Sequence, residues 1–179
     1  EAVSDDGYLG SPYRAARIFG ATVPERNPRT RSSRAVKFRS LKDIGDRQAL
    51  RAEYRYFWDT WAIKAHTLEG GYSRYFGDAW LADGFVRYYK QSKANFYSDN
   101  AQVETLYLSR NRQLGTFNSL GLGAKLTYSA GRYQGQYDVK VHGSLEAYQF
   151  RYQDFTDLRT GSAYSFIGTI FQVMVSATY

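Results

Sequence analysis

Residues 136–148, which read QYDVKVHGSLEAY, alternate strictly between two kinds of side chain. A β-strand points successive side chains to opposite faces, so this stretch predicts a strand with two unlike faces. One face is uncharged and consists of Tyr137, Val139, Val141, Gly143, Leu145 and Ala147. The other face is polar and consists of Gln136, Asp138, Lys140, His142, Ser144 and Glu146.

The same period of two recurs along most of the chain and predicts about eight strands. They fall in the ranges 14–20, 35–40, 49–58, 64–75, 80–89, 119–128, 136–148 and 171–179. Strands of ordinary globular domains have about 5–6 residues, whereas strands of about ten alternating residues are typical of transmembrane barrels. Short turns such as DIGDR and FGDAW also alternate with longer polar loops such as ATVPERNPRTR, NFYSDNAQVETLYLSRNRQ and QDFTDLRTGSA.

This pattern predicts an all-β fold, an antiparallel up-and-down transmembrane β-barrel of about eight strands that stands alone or forms part of a larger barrel. We expect residues 1–179 to form a single barrel domain, the carboxy-terminal portion of a longer chain. The alternative is a soluble β-sandwich or lipocalin-like barrel with the apolar face inside. The free use of Gly and Ala on the apolar faces favours the membrane barrel, because a packed core prefers larger side chains.

The composition of the chain excludes several kinds of site and one class of membrane protein. The chain has 179 residues with 17 Tyr, 11 Phe and 3 Trp, and it has no Cys, which excludes disulfides and thiolate metal sites. A mean hydropathy of −0.56 excludes a helical membrane protein. The net charge is +7, but the basic residues recur singly within the alternating segments. We therefore expect no nucleic-acid partner, and the sequence indicates no cofactor.

If the apolar face meets lipid, the charged face lines the lumen of the barrel. The predicted lumen residues are Arg17, Lys37, Arg39, Arg51, Glu53, Arg55, Glu69, Asp83, Arg87, Lys125, Asp138, Lys140, His142 and Glu146. Basic groups outnumber acidic ones in this set. In a narrow barrel these charges must pair with one another, whereas a wider barrel would present a wet, cation-lined lumen that favours anions.

The last nine residues, FQVMVSATY, predict how the chain reaches a membrane. Their alternate residues Phe171, Val173, Val175, Ala177 and Tyr179 resemble the outer-membrane insertion signal that the barrel assembly machinery recognises. The predicted location is therefore the bacterial outer membrane, with the long loops outside the cell. The expected partners are the lipid bilayer, lipopolysaccharide, the barrel assembly machinery and partner protein subunits. The basic loop PERNPRTR either contacts lipopolysaccharide phosphates or is simply solvated, and the solvated loop is the default.

One pair of residues suggests a hydrolytic active site. His142 and Ser144 form a His-x-Ser pair on one strand face, as in outer-membrane lipid hydrolases, where serine is the nucleophile and histidine the base. However, the pair shares its face with Lys140 and Glu146, so it should point into the lumen, away from lipid substrate. We therefore expect no enzyme activity. His66, the other histidine, has no ligand spacing for a metal and is expected near the membrane interface.

Four stretches together resemble a known family: DGYLGSPYR, RTRSSRAVKFR, YRYFWDTWAIKAHTLEGGY and VRYYKQSKANFY. They are similar to the carboxy-terminal half of bacterial proteins of unknown function that are thought to be outer-membrane β-barrels of Gram-negative bacteria. The resemblance implies a longer chain with a signal peptide and further strands, and its gene neighbours imply redox work in the envelope. It implies no catalytic residues.

These observations predict a non-enzymatic outer-membrane pore or scaffold with a basic polar lumen. One version of this hypothesis is that the barrel houses or anchors a redox partner of the envelope. Two other classes stay open at this point, namely a lipid-modifying hydrolase that uses His142 and Ser144, and a structural subunit of a surface assembly.

Overall fold

In the described part of the chain, nine β-strands and one short 3-10 turn make up the fold. A computed structural model describes residues 15–133 and 137–178. The strands are β1 (Ala15–Ile18), β2 (Ala21–Pro24), β3 (Ser33–Gly45), β4 (Gln48–Asp59), β5 (Lys64–Phe76), β6 (Trp80–Gln91), β7 (Phe117–Tyr133), β8 (Tyr137–Thr156) and β9 (Ala163–Thr178). The 3-10 turn spans Arg112–Leu114. Among these residues no helix is long and apolar enough to cross a membrane.

The strands form two antiparallel sheets. β1 pairs with β2, and β3 to β9 form a seven-stranded sheet in chain order. Tight turns explain the simple order: Asp46 and Arg47, between β3 and β4, both have positive φ, as the central residues of a two-residue hairpin turn require. The predicted all-β, antiparallel fold is confirmed.

Two details of the predicted fold need correction. The first predicted strand lies in the small sheet, so the large sheet has seven strands and not eight. In addition, β3 and β9 do not pair with each other among the described residues, so the large sheet does not close on itself there. The DGYLGSPYR motif, Gln136 and Tyr179 lie outside the described residues.

The register of the large sheet settles which side chains share a face. Lys37, Arg55 and Thr67 are directly paired across β3, β4 and β5, and this side of the sheet is called the charged face. The opposite side is called the apolar face, and it is exposed: Leu122 is 53% exposed and Phe171 is 72% exposed. Phe171, Val173, Val175 and Ala177 all lie on the apolar face of β9.

The last two strands are longer than the sequence predicts. The stretch QDFTDLRTGSA was expected to be a loop, but β8 continues to Thr156 and β9 starts at Ala163. The reason lies in aromatic packing on the charged face. Tyr148, Phe150 and Tyr152 extend β8, and the Phe150 ring stacks on Phe166 with centroids 4.6 Å apart.

A folded cap covers one end of the large sheet. The cap comprises residues 15–32, 60–63 and 92–116. The opposite end of the sheet carries the turns 46–47 and 77–79 and is called the turn end. Ala16 of β1 is fully buried against Ala101 and Leu108. This packing removes the β1–β2 hairpin from the large sheet, so Arg17 does not join the charged face as predicted. Its guanidinium donates instead to the Gly20 carbonyl.

A second cluster joins the cap to the sheet. Its buried members are Trp61, Ile63, Ala94, Phe96, Tyr97 and Leu114. Burial, and then the nearby carboxylates Asp154 and Asp99, raise the pKa of Tyr97 well above its usual value. The Tyr97 hydroxyl is therefore a neutral donor, and it donates to the Asp154 carbonyl at 2.9 Å. The segment 92–116, which contains the predicted polar loop 95–113, thus carries its own core.

Candidate functional site on the charged face

The charged face of the large sheet forms a groove of about 830 Å³. Neighbouring strands position its side chains, because Ser73, Asp83, Lys125, Ser144 and Gln172 are paired in one row across β5 to β9. Arg51, His142 and Glu146 line the groove beside this row. The groove therefore brings together residues as far apart in the sequence as Arg51 and Gln172.

Ion pairs hold the charged face between β3 and β5. Glu53 accepts from Lys37 at 2.7 Å and from Arg39 at 2.9 Å, and Glu69 accepts from Arg51 at 2.8 Å. Register places Glu53 directly opposite Glu69, so the two carboxylates would repel each other without these cations. Part of the predicted lumen set is thus a paired network.

Other cations on the charged face have no such partner. In the described part of the chain, no carboxylate oxygen lies within 4.0 Å of the side-chain nitrogens of Arg55, Arg87, Lys125 or Lys140. Asp83 and Glu146 keep their negative charge, but they accept from the Ser73 hydroxyl at 2.5 Å and the Tyr148 hydroxyl at 2.8 Å and form no ion pair with these cations. Among the predicted lumen residues that lie on this face, seven are basic and five are acidic. Asp138 lies on the same face and is exposed. The face therefore keeps a basic excess.

The structure brings His142 and Ser144 to one face but does not join them. His142 Nδ1 lies 2.9 Å from Thr127 Oγ1, and His142 Nε2 lies 3.2 Å from Ser176 Oγ. Both ring nitrogens are therefore engaged by hydroxyl groups of neighbouring strands, and neither activates Ser144. A nucleophile needs a base within hydrogen-bond reach, and this arrangement does not supply one.

His66 lies on the apolar face, close to the cap. Its Nδ1 is 2.8 Å from the Tyr54 hydroxyl, and its ring centroid is 4.9 Å from that of Tyr56. His66 pairs with Lys90, so a polar row begins where the apolar face reaches the cap. In the described residues no three His, Asp or Glu side chains form a group that could hold a metal ion.

Two glycines on the charged face leave room for aromatic rings from the neighbouring strands. A Cβ on Gly121 would overlap the Tyr148 ring, and a Cβ on Gly123 would overlap the Phe85 ring. Both glycines lie in the stretch GLGAKL, where glycine within a barrel strand predicts bending or close packing. Each ring therefore fills space over the neighbouring strand that a side chain would otherwise take, and the Phe85 ring lines the groove.

A buried hub in the cap was not predicted from the sequence. The Asp59 side chain is fully buried, and its Oδ2 accepts from Arg31 Nε at 2.8 Å and lies 2.7 Å from Arg31 Nη2. Its Oδ1 accepts from the backbone N–H groups of Trp61 and Ile63, each at 2.9 Å. The Arg31 guanidinium also lies 4.8 Å from the Trp61 ring centroid. Arg31 of the basic loop, which is part of the cap, therefore binds the end of β4.

The fold and the groove define a class: an all-β protein whose antiparallel sheet exposes its apolar face and collects its charges on the other. Within that class, the chain belongs to the family described as protein of unknown function (DUF3570), which it matches over residues 2–179. No curated protein and no solved structure matches the chain significantly.

Proposed function

We propose that this protein is a non-enzymatic β-barrel of the bacterial outer membrane, a pore or scaffold whose charged face lines a basic interior. One observation carries the proposal: the sheet exposes the apolar face that a soluble domain would bury. Large apolar side chains are exposed on one face, while the charged face bears an ion-pair network and a groove. A soluble monomer rarely exposes such a wide apolar patch, whereas a sheet in lipid requires one.

The height of the apolar face supports a membrane position. On β9 the outward residues from Ile167 to Ala177 are apolar except for one threonine. These ten steps span about 34 Å along the strand, or about 26 Å when the strand is tilted by about 40°. Barrels of this kind carry an apolar band about 25 Å tall, so the two heights agree.

A polar row bounds this apolar band beside the cap. His66, Lys90, Asn118 and Arg151 are paired in sequence across β5 to β8 and face outward. Side chains of this kind suit the headgroup layer and would be costly in the hydrocarbon core. Exposed Arg and Lys at this level suit lipopolysaccharide phosphates, so we propose that the cap faces the outside of the cell.

Strand direction supports membership in a larger barrel. β3 and β9 both run from the cap to the turn end, because six antiparallel pairings separate them. Direct pairing of β3 with β9 would therefore be parallel, unlike every other pair in the sheet. An odd number of further strands would complete an antiparallel barrel, and they would widen its interior beyond what side chains alone can fill.

We expect the protein to remain in outer-membrane fractions after an alkaline wash and to require detergent for release. In planar bilayers, the folded full-length protein should conduct with a preference for anions, because unpaired cations line the charged face. Lys125→Glu should lower the anion preference, whereas Lys90→Glu, on the apolar face, should not. Release without detergent would contradict the membrane position. A folded protein that never conducts would exclude the pore and leave only the scaffold.

The proposed partners follow from the same position. The bilayer contacts the apolar face, the barrel assembly machinery receives β9, and a redox partner of the envelope would sit in the basic interior. An acidic partner is favoured there, because basic groups outnumber acidic ones among the predicted lumen residues that lie on the charged face. Purification from native membranes, with chemical cross-links at the charged face, tests this part. Recovery of the protein alone would contradict it.

A further inference from the structure

A second cavity lies where the cap meets the charged face. It has a volume of about 290 Å³ and is separate from the large groove. The cap contributes Ile63 and Leu114 to it, which are 3% and 8% exposed, and β4 contributes Phe57. None of its lining residues is acidic, although two of them, Arg31 and Arg55, are basic. The cavity is therefore a positively charged recess with apolar walls.

The polar side of this cavity is a single row of the sheet. Arg55, Thr67 and Tyr89 are paired directly across β4, β5 and β6, so their side chains lie next to one another. The Arg55 guanidinium lies 5.7 Å from the Phe57 ring centroid, and no carboxylate among the described residues neutralises it. Thr67 is only 8% exposed, and its hydroxyl makes no hydrogen bond to the described residues. Both groups are free donors.

The second arginine does not compete for a ligand in the same way. Arg31 donates to the buried Asp59 carboxylate, which offsets its charge. The cavity thus offers one uncompensated positive charge, which suits a monoanion. A dianion such as phosphate would keep one negative charge without a partner in a partly dry recess, and unpaired charge there is costly.

Hydrogen bonds fix the wall between the cap and the sheet. Gln91 is 5% exposed, and its Nε2 donates to the carbonyls of Gln113 and Gly115 at 2.8 and 2.9 Å. The Tyr89 hydroxyl donates to Gln91 Oε1 at 2.6 Å. This chain of bonds locks the Tyr89 ring and the segment before β7 together. The cavity is therefore formed before any ligand enters, which reduces the entropic cost of binding.

We propose that this cavity binds a small organic carboxylate. The carboxylate group would accept from Arg55 and from the Thr67 hydroxyl. The hydrocarbon part would pack against Phe57, Ile63 and Leu114. This site lies in the contact between the cap and the sheet, so it does not depend on the barrel being an open pore.

Benzoate is a suitable probe, because it joins one carboxylate to a ring that fits the apolar walls. Isothermal titration of the full-length protein in detergent micelles at neutral pH should show saturable binding of benzoate. Arg55→Gln should weaken that binding at least about tenfold, since charge-assisted hydrogen bonds are lost. Thr67→Val, which keeps the side-chain shape, should weaken it less. Inorganic phosphate should bind more weakly than benzoate.

The matched control is Arg87→Gln. Arg87 lies on the same face and also lacks a carboxylate partner, but it does not line this cavity. Its replacement should leave benzoate binding unchanged, and the unfolding midpoint of each variant should equal that of the parent protein. Equal losses in the Arg55 and Arg87 variants would overturn the site, because a general charge effect would then explain binding. Phosphate binding as tightly as benzoate, or no saturable benzoate binding, would overturn it as well.

Discussion

Replacing Asp59 by alanine is expected to lower the free energy of unfolding by about 3–5 kcal/mol. The carboxylate is fully buried, accepts hydrogen bonds from Arg31 Nε and from two backbone N–H groups, and lies 2.7 Å from Arg31 Nη2. Alanine would leave the guanidinium without its counter-charge and both backbone donors without a partner. Each of these losses is costly in a buried position.

The turn that follows Asp59 makes the loss larger. Ala62 has φ 67, a left-handed conformation that costs energy for a residue with a Cβ. The carboxylate holds this turn from both sides, because it accepts from the N–H groups of Trp61 and Ile63. Without it, Trp61 would lose its position against Phe96, whose ring it meets edge-on with centroids 5.1 Å apart. We expect the cap to loosen before the sheet does.

Asp78→Ala is the matched control for this prediction. Asp78 also pairs with one arginine, Arg47, at 2.7 Å, but its side chain is 98% exposed. Exposed ion pairs contribute about 0–1 kcal/mol, so this variant should unfold almost like the parent protein. Urea unfolding in detergent micelles, followed by tryptophan fluorescence, gives both values. If the Asp59 variant were no less stable than the Asp78 variant, the hub would have no role in stability.

A double variant separates the ion pair from the turn. Arg31→Met combined with Asp59→Ala removes both charges, so no uncompensated guanidinium remains in the cap. We expect it to be more stable than the sum of the two single changes predicts, because directly contacting residues are coupled. Strict additivity would show that Arg31 and Asp59 act independently, contrary to their contact distances.

The faces of the strands could be predicted from the sequence because the period of two is local. Lys125 and His142 are assigned to a face by their own neighbours, and the residues opposite them in the register, Asp83 and Thr127, are assigned to that face by the same alternation. What alternation cannot show is which groups meet. The ion pair of Arg51 with Glu69 and the contacts of His142 depend on register, and turn geometry sets register.

The cap could not be predicted in this way. Its apolar residues, such as Ala94, Phe96 and Leu108, follow no period of two or 3.6, so the segment reads as a polar loop. The position of Arg17 could not be predicted either, for the opposite reason. Arg17 alternates with Ala16 and Ile18, as the residues of a barrel strand would. Its hairpin is too short to span a membrane and is held instead by Ala101, eighty-five positions after Ala16. Contacts over such separations leave no local signal.

Replacing Gly123 by alanine is expected to cost about 1–3 kcal/mol, the usual penalty for overpacking. The new Cβ would overlap the Phe85 ring, which lies over Gly123 from the neighbouring strand. The Phe85 ring carbon nearest to that position lies 2.2 Å away, well inside van der Waals contact. The ring must therefore rotate out of its seat or push the two strands apart.

Gly143→Ala separates this clash from the general effect of losing a glycine. Gly143 lies on the apolar face of β8, nothing lies within 4 Å of its Cβ position, and its φ is not positive. We expect this variant to be as stable as the parent protein or slightly more so, since alanine reduces the entropy of the unfolded chain. Thermal unfolding followed by circular dichroism compares the two variants directly.

A compensating change gives the decisive result. Phe85→Ala alone should be destabilising, because it empties the seat over Gly123. In the Gly123→Ala background, however, the same change should recover stability, because the clash disappears and the new methyl group fills part of the vacated space. The reversed sign can arise only if the ring and the glycine share one volume. If Phe85→Ala destabilised both backgrounds equally, the Phe85 ring would not occupy the space over Gly123. The view that glycines shape the groove floor would then be wrong as well.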